Sequence, residues 1–366
     1  MDNPARKILS SLQTFTQLPT LRAMDRLRRL NSSEIRSQDP QRNRKNRQGL
    51  VLSTGFLVIV LVVLTFNSLA STMHLRNGID AYERKQLDRA VSELTDAMAG
   101  NQSALPHYYR ALTYQIQEKN VSAMEDLNYV VSHEPKNSMA WLTRACQHLK
   151  MSEHVEAIQD ATQSISLEPK AAGSYLVRAA AELNTGQYQE CIADCHSYLS
   201  RAGKSSVKAD RVNAFNMIAA SYVKLQKFDD AKDAYAIAIS LDPSNQRLYS
   251  DRARLLQRKG DIKEAIADCN RALGKSAPSD ILLLKAALCR ANHQPALALA
   301  TLNAAVKAYP KDVELRHERG SLELSLHNYA QAYADLKFVR DTCPGNSKAQ
   351  VEFQTVAKLT PAKLRD

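Results

Sequence analysis

Small residues return at a nearly fixed interval along most of the chain. They are Ala90, Ala123, Ala157, Cys191, Ala231, Ala265, Ala298 and Ala332, at successive gaps of 33, 34, 34, 40, 34, 33 and 34 residues. Proline follows twelve positions later in five of these units, at Pro135, Pro169, Pro243, Pro310 and Pro344. A period of about 34 residues with this punctuation belongs to stacked helix-turn-helix units. One such unit cannot bury its own apolar face and must share a core with its neighbours. Residues 71–344 are therefore expected to form one solenoid, not the two or three domains that 366 residues would otherwise suggest. The gap of 40 marks an insertion near residues 200–211.

When each unit is counted so that its recurring small residue is position 20, the other apolar residues fall into register. Position 4 carries Trp141, Tyr175, Phe215 and Tyr249, position 17 carries Tyr188, Phe228 and Tyr329, and position 24 carries Leu94, Leu127, Tyr235, Leu302 and Leu336. Position 8 is again small, from Gly78 and Ala111 through to Gly320. These spacings predict two amphipathic helices per unit, about positions 1–14 and 15–30, with small residues where they touch. Gly186 and Gly260, at position 15, mark the turn between them. In this pattern the chain resembles a tetratricopeptide-repeat protein over residues 71–344, most fully in residues 212–245 with Phe215, Ala219, Tyr222, Phe228, Ala231, Tyr235, Ala238 and Pro243 in register. The resemblance implies an all-α, right-handed superhelical solenoid of about eight repeats, with residues 345–366 supplying a closing helix and tail.

The same resemblance implies a concave groove lined by the first helix of each repeat and used to hold a protein or peptide. Its N-terminal half would be apolar and aromatic, through Tyr108, Tyr109, Leu112, Ile116, Leu142, Leu176 and Met217, with packing between repeats claiming about half of the apolar set. Its C-terminal half would be polar and basic, through Asn216, Arg247, Arg254, Arg258 and Arg290, suited to a partner with acidic and apolar residues. Repeats of this type that grip a C-terminal carboxylate use asparagines at positions where the early units here hold Tyr109, Leu112, Thr143, Cys146, Val177 and Ala180. A second regularity pairs position 7 with position 23: Arg110 with Asp126, Arg144 with Asp160, Arg178 with Asp194, Arg252 with Asp268 and Arg319 with Asp335. Sixteen residues apart, each pair would lie across one helical hairpin, fixing how its helices meet. The matched aspartates favour that structural role over an arginine ladder for an acidic ligand.

Upstream of the repeats, residues 49–70 contain no charged residue, and this mainly apolar stretch of 22 positions is long enough for a transmembrane helix. Residues 1–48 form a basic tail with 11 Lys and Arg against 4 Asp and Glu, expected to be disordered or a helix on the membrane surface. The cluster Arg42, Arg44, Lys45 and Arg47 favours a cytoplasmic N-terminus, with the repeats outside the cytoplasm. Unpaired cysteines at core positions would suit a reducing compartment better, which keeps open cytosol-facing repeats laid out like an organellar import or chaperone-type receptor. A transit peptide over residues 6–30 and cleavage after Ala70 are the processing alternatives.

Nothing in the sequence marks a catalytic centre. Phosphate-binding glycine loops, paired histidine motifs and nucleophile elbows are absent, and the nine histidines are scattered singly. The run Cys191-Ile192-Ala193-Asp194-Cys195-His196 has one residue too many for a haem-attachment motif and places its cysteines at core positions 20 and 24. No cofactor, metal or nucleic acid is expected, since most of the net charge of +11 sits in the tail beside the membrane. The sequence thus describes a single-pass, membrane-anchored interaction scaffold that performs no chemistry of its own.

Overall fold

The computed structural model describes residues 67–99, 103–203, 207–273 and 278–360. The basic tail and all but the last four residues of the apolar 49–70 segment lie outside the described residues, and residues 67–70 are helical. Among the described residues no helix is long and apolar enough to cross a membrane, and all 17 regular elements are helices.

The chain divides into two units, residues 1–103 and 104–366. The first carries one hairpin, α1 (67–83) and α2 (Leu87–Met98). The second carries seven: α3 (Leu105–Ile116) with α4 (Asn120–His133), α5 (Ser138–Lys150) with α6 (His154–Leu167), α7 (Ala172–Thr185) with α8 (Tyr188–Ala202), α9 (Lys208–Lys224) with α10 (Phe228–Leu241), α11 (Gln246–Lys259) with α12 (Ile262–Ala272), α13 (Ser279–Ala291) with α14 (Pro295–Ala308), and α15 (Val313–Ser325) with α16 (Tyr329–Thr342). A lone helix, α17 (Ser347–Leu359), closes this unit. Each helix of the second unit packs on the next, and first helices of successive repeats also touch over much of the array. Second helices contact one another less, so the array curves toward its first helices, which form the inner face.

Close approach within each hairpin follows from the small residues. The alanines at positions 8 and 20 are almost wholly enclosed, as are Leu94, Leu127, Leu302 and Leu336 at position 24. Added to Gly78, a Cβ would stand 2.6 Å from Leu94 Cγ; added to Gly320, 3.0 Å from Leu336 Cγ. The leucine of the second helix therefore packs onto the backbone of the first, and a larger side chain at either glycine would push the two apart.

Every hairpin turns in the same way, whatever residue stands at the turn. Position 15 has positive φ in all eight, at Lys85, Glu118, Ser152, Gly186, Gln226, Gly260, His293 and His327. The next N–H always donates back to the carbonyl five residues earlier, from Gln86 to Ala81 through Asn328 to Glu323, at 2.8 to 3.0 Å. This is the bond that closes a helix with a left-handed residue. At the other end of repeats 2, 3 and 7, the proline carbonyl is capped by the side chain six residues on: Trp141 Nε1 donates to Pro135 at 2.9 Å, Tyr175 to Pro169 at 3.2 Å and Arg316 to Pro310 at 2.7 Å.

The insertion departs from a simple loop. Residues 208–211 add a turn to the start of α9, making it 17 residues long, so only part of the extra chain lies between helices. Asp210 in that first turn favours the helix electrostatically.

Gly260 has φ +91° and open space where a Cβ would stand. Gly260→Ala should therefore lower stability by about 1 kcal/mol through backbone strain alone. Thermal melts of the variant check this, and an unchanged midpoint would show that the turn does not hold the residue in that conformation.

Candidate functional site

All five position-7 arginines reach their aspartates in a two-pronged geometry. In repeat 3, Arg144 Nε and Nη2 donate to Asp160 at 2.6 and 2.8 Å; in repeat 6, Arg252 does the same to Asp268 at 2.7 and 2.8 Å. Arg110 holds Asp126 at 2.8 Å through both nitrogens, and the closest contacts of Arg178 with Asp194 and of Arg319 with Asp335 are 2.6 Å. Each aspartate is buried, which makes the paired arginine obligatory. Three arginines also donate Nη1 to position 25 of the preceding repeat: Arg144 to Asn128, Arg178 to Thr162 and Arg319 to Asn303. One guanidinium thus joins the helices of its own hairpin and ties them to the hairpin before. The hydrogen bonds to Asp126, Asp194 and Asp268 push the pKa values of Arg110, Arg178 and Arg252 up, against the opposing effect of burial.

Three repeats lack the pair, and each replaces it differently. Repeat 5 has Ile218 and Ala234, both buried, an apolar pair at the same positions. Repeat 7 has Lys285 and Thr301. In repeat 1, Asn77 and Glu93 stand there, and His74 meets Glu93 at 2.8 Å. In repeat 2 the corresponding histidine, His107, joins Arg110 on Asp126 at 2.7 Å and stacks on Tyr129 with ring centroids 3.8 Å apart.

On the inner face, the apolar set divides between packing and exposure. Tyr108 packs against the core containing Val130 and Ala140, as Trp141 does, and its hydroxyl lies 3.1 Å from Thr143 Oγ1. Tyr109, Leu112, Leu142, Leu176 and Met217 are half-buried, while Ile116 and Met139 are exposed. Gly173 keeps the floor low beside Leu142, whose Cδ2 lies 3.6 Å from where a Cβ would be. Cys146 opens onto this stretch as an exposed thiol, unlike the buried Cys191, Cys195, Cys269 and Cys289.

The basic half is not a bare positive surface. Arg254 is bonded to Asp280 of the next repeat and lies 3.5 Å from Asp251, and Arg290 reaches Glu318 of the repeat after its own at 3.0 Å. Arg258 lies over the Phe228 ring at 5.0 Å, an attractive contact between cation and π-face. Arg247 is more open than Arg254 or Arg290, its side chain 83% exposed and 3.7 Å from Asp251. Burial pushes the Asp251 carboxyl up, and Arg247 and Arg254 pull it back toward the charged form. Asn216 differs from expectation as well: its Oδ1 is enclosed and meets no donor among the described residues. The acidic partners were missed in sequence because they lie 26 and 28 residues from their arginines, separations fixed by stacking and not by helical period.

The cysteine run presents no combined site. Cys191 and Cys195 are fully enclosed while His196 is exposed, so thiols and imidazole do not converge. Among the described residues no group of three histidine, cysteine or acidic side chains could hold a metal ion.

A tetratricopeptide-repeat family model matches residues 216–281. No curated protein matches the chain in sequence. Among solved structures it is similar to a tetratricopeptide repeat protein from Parabacteroides merdae, 17% identical, covering 79% of this chain and 99% of that one with a TM-score of 0.50. It is also similar to PilW, a type IV pilus biogenesis factor, 18% identical, covering 59% of this chain and 97% of that one with a TM-score of 0.52.

Asp268→Ala should cost about 3 kcal/mol, because it leaves Arg252 in the repeat without its partner. Adding Arg252→Ile reproduces the pair that repeat 5 already carries and should restore most of that loss. Denaturation of the single and double variants checks this; a double variant as unstable as the single one would overturn the interchangeability of the two pairs. The solenoid of this chain has the tetratricopeptide-repeat fold, with recognisable family sequence in its fifth and sixth repeats.

Proposed function

We propose that this chain is a single-pass, membrane-anchored scaffold that holds a partner protein or peptide along the inner face of its repeats. The carrying observation is the apolar character of the first helices of repeats 2 to 4, where Ile116 and Met139 are exposed and Leu112, Leu142 and Leu176 are half-buried. Apolar anchors set in such a floor are what drive association, with charges around them selecting the partner. Beyond this stretch Arg254 and Arg290 are tied to Asp280 and Glu318, which leaves Arg247, 83% exposed and no nearer than 3.7 Å to Asp251, as the better placed cation for an acidic residue, with Arg258 held over the Phe228 ring. The occupant is then a mainly apolar segment with an acidic residue toward its Arg247 end. Anchoring rests on the uncharged 49–70 segment, and the basic cluster before it favours repeats outside the cytoplasm. In this reading the protein is not an enzyme and carries no cofactor.

The free, enclosed Cys191, Cys195, Cys269 and Cys289 favour a second reading, a receptor with cytosol-facing repeats. Protease protection of intact membranes separates the two, because only cytosol-facing repeats would be digested from the cytoplasmic side.

For the groove itself, Leu142→Asp with Leu176→Asp in the full-length protein should reduce recovery of cross-linked partners at least about tenfold, the loss of roughly 1.4 kcal/mol of binding. Helicity should remain near that of the parent because both side chains are only half-buried. Equal recovery from parent and variant would place the binding surface elsewhere. Release by alkaline carbonate would argue against the anchor.

A further inference from the structure

Repeat 4 balances its buried charges differently from the rest. All three guanidinium nitrogens of Arg178 are committed, Nε and Nη2 to Asp194 at 2.6 and 2.9 Å and Nη1 to Thr162 on α6 at 3.1 Å. Glu182, one turn further along α7, is buried and comes no nearer to Arg178 than 3.7 Å. Its Oε2 is enclosed and meets no donor among the described residues. From α8 it faces Asp194 and Glu190, both of which oppose a second negative charge, and the thiols of Cys191 and Cys195. On α9, Ser221 lies against Cys191 and brings no cation.

Repeat 8 shows what a balanced version requires. Glu323 occupies the same position and is buried too, but Asn328 Nδ2 donates to it at 2.6 Å. Its neighbour Asp335 takes two arginines, Arg319 at 2.6 Å and Arg316 at 3.2 Å. In repeat 4 the residues at the places of Asn328 and Arg316 are Gln187 and Tyr175, and both donate elsewhere, to Thr185 and to the Pro169 carbonyl. Two carboxylates therefore share one cation, and a buried charge without partners is expensive enough that such a group keeps its proton.

We propose that repeat 4 is a proton-dependent joint in the solenoid, closed while the Glu182 carboxyl is protonated and loosened as that proton is lost. Burial, followed by the charge of Asp194, pushes Glu182 up to about 8 from an ordinary value of 4.5. Between those values the folded repeat holds the proton more tightly than the opened one. Its stability is fully present below pH 4.5, falls as pH rises toward about 8 and then levels off. Loosening would concentrate at this point because the inserted residues follow α8, and repeat 5 beyond them has Ile218 and Ala234 in place of the arginine-aspartate tie.

Amide hydrogen exchange of the full-length protein, corrected for intrinsic rates and measured at about pH 6 and pH 8, tests the proposal. Protection over residues 172–202 should fall by up to about tenfold per pH unit, since one unit of pKa difference is a tenfold change in equilibrium. Residues 313–342 of repeat 8 should stay within about twofold in the same sample, which provides an internal comparison that needs no variant. Glu182→Gln should flatten the fall in repeat 4 and leave its protection at the higher pH above that of the parent. Equal behaviour of repeats 4 and 8 in the parent, or an undiminished fall in Glu182→Gln, would overturn the assignment. These readouts are independent of any partner, so they stand apart from the proposed binding function.

Discussion

The separation of the two helices in each hairpin sets everything else in this fold. A leucine or tyrosine of the second helix can lie on the backbone of the first only where position 8 is small, and the 2.6 Å clearance at Gly78 shows how little room remains. At that separation an arginine on one helix and an aspartate on the other meet in a two-pronged bond of 2.6 to 2.9 Å, and the turn between the helices has only one way to close. The left-handed residue at position 15 follows from this constraint. Six non-glycine residues accept an unfavourable backbone conformation there because the closing hydrogen bond and the packing on either side leave no alternative.

The arginine-aspartate pairs then belong to the architecture and not to a ligand site. Each aspartate is almost fully enclosed, and in Arg144, Arg178 and Arg319 all three guanidinium nitrogens are engaged inside the array. Repeat 5 makes the same point from the other side, since its Ile218 and Ala234 fill the position by packing alone. The pair contributes orientation more than net stability, because a buried ion pair repays its desolvation only when its geometry is close to ideal. Polar bonds linking one repeat to the next, such as Arg144 to Asn128, add a preferred stacking angle that apolar contact would not specify.

Features that repeat were legible in the sequence, and features that depend on stacking were not. The 34-residue period, small positions 8 and 20, the two helices and the sixteen-residue charge pairs all follow from local periodicity. By contrast, Arg254 with Asp280 and Arg290 with Glu318 depend on how far one hairpin is rotated against the next, which no single helix encodes. The left-handed turn at Lys85, Glu118, Ser152, Gln226, His293 and His327 carries no residue signal either, because glycine marks it only at Gly186 and Gly260. The extension of α9 by residues 208–211 was hidden because an insertion lengthens a spacing without saying whether the added chain coils or loops. On the candidate groove, sequence placed the residues on the correct helices but could not separate Tyr108, committed to packing and to Thr143, from Ile116, which faces solvent.

Charge along the inner face changes what kind of recognition the array supports. An unpaired row of arginines would attract any acidic segment and release it with salt, as exposed charges do. Here Arg254 and Arg290 meet carboxylates of the following repeat, Arg258 meets an aromatic face and Arg247 has the looser contact with Asp251, so an acidic partner in the proposed groove would have to displace an existing contact to reach them. The exchange of one ion pair for another gains little energy but penalises a partner whose charges do not fit, which gives selectivity without strong attraction. In the scaffold proposed above, affinity would come from the apolar floor of repeats 2 to 4, where Ile116 and Met139 are exposed. On that proposal the two halves of the inner face would have separate tasks, and their order along the array would set the direction in which a bound segment runs.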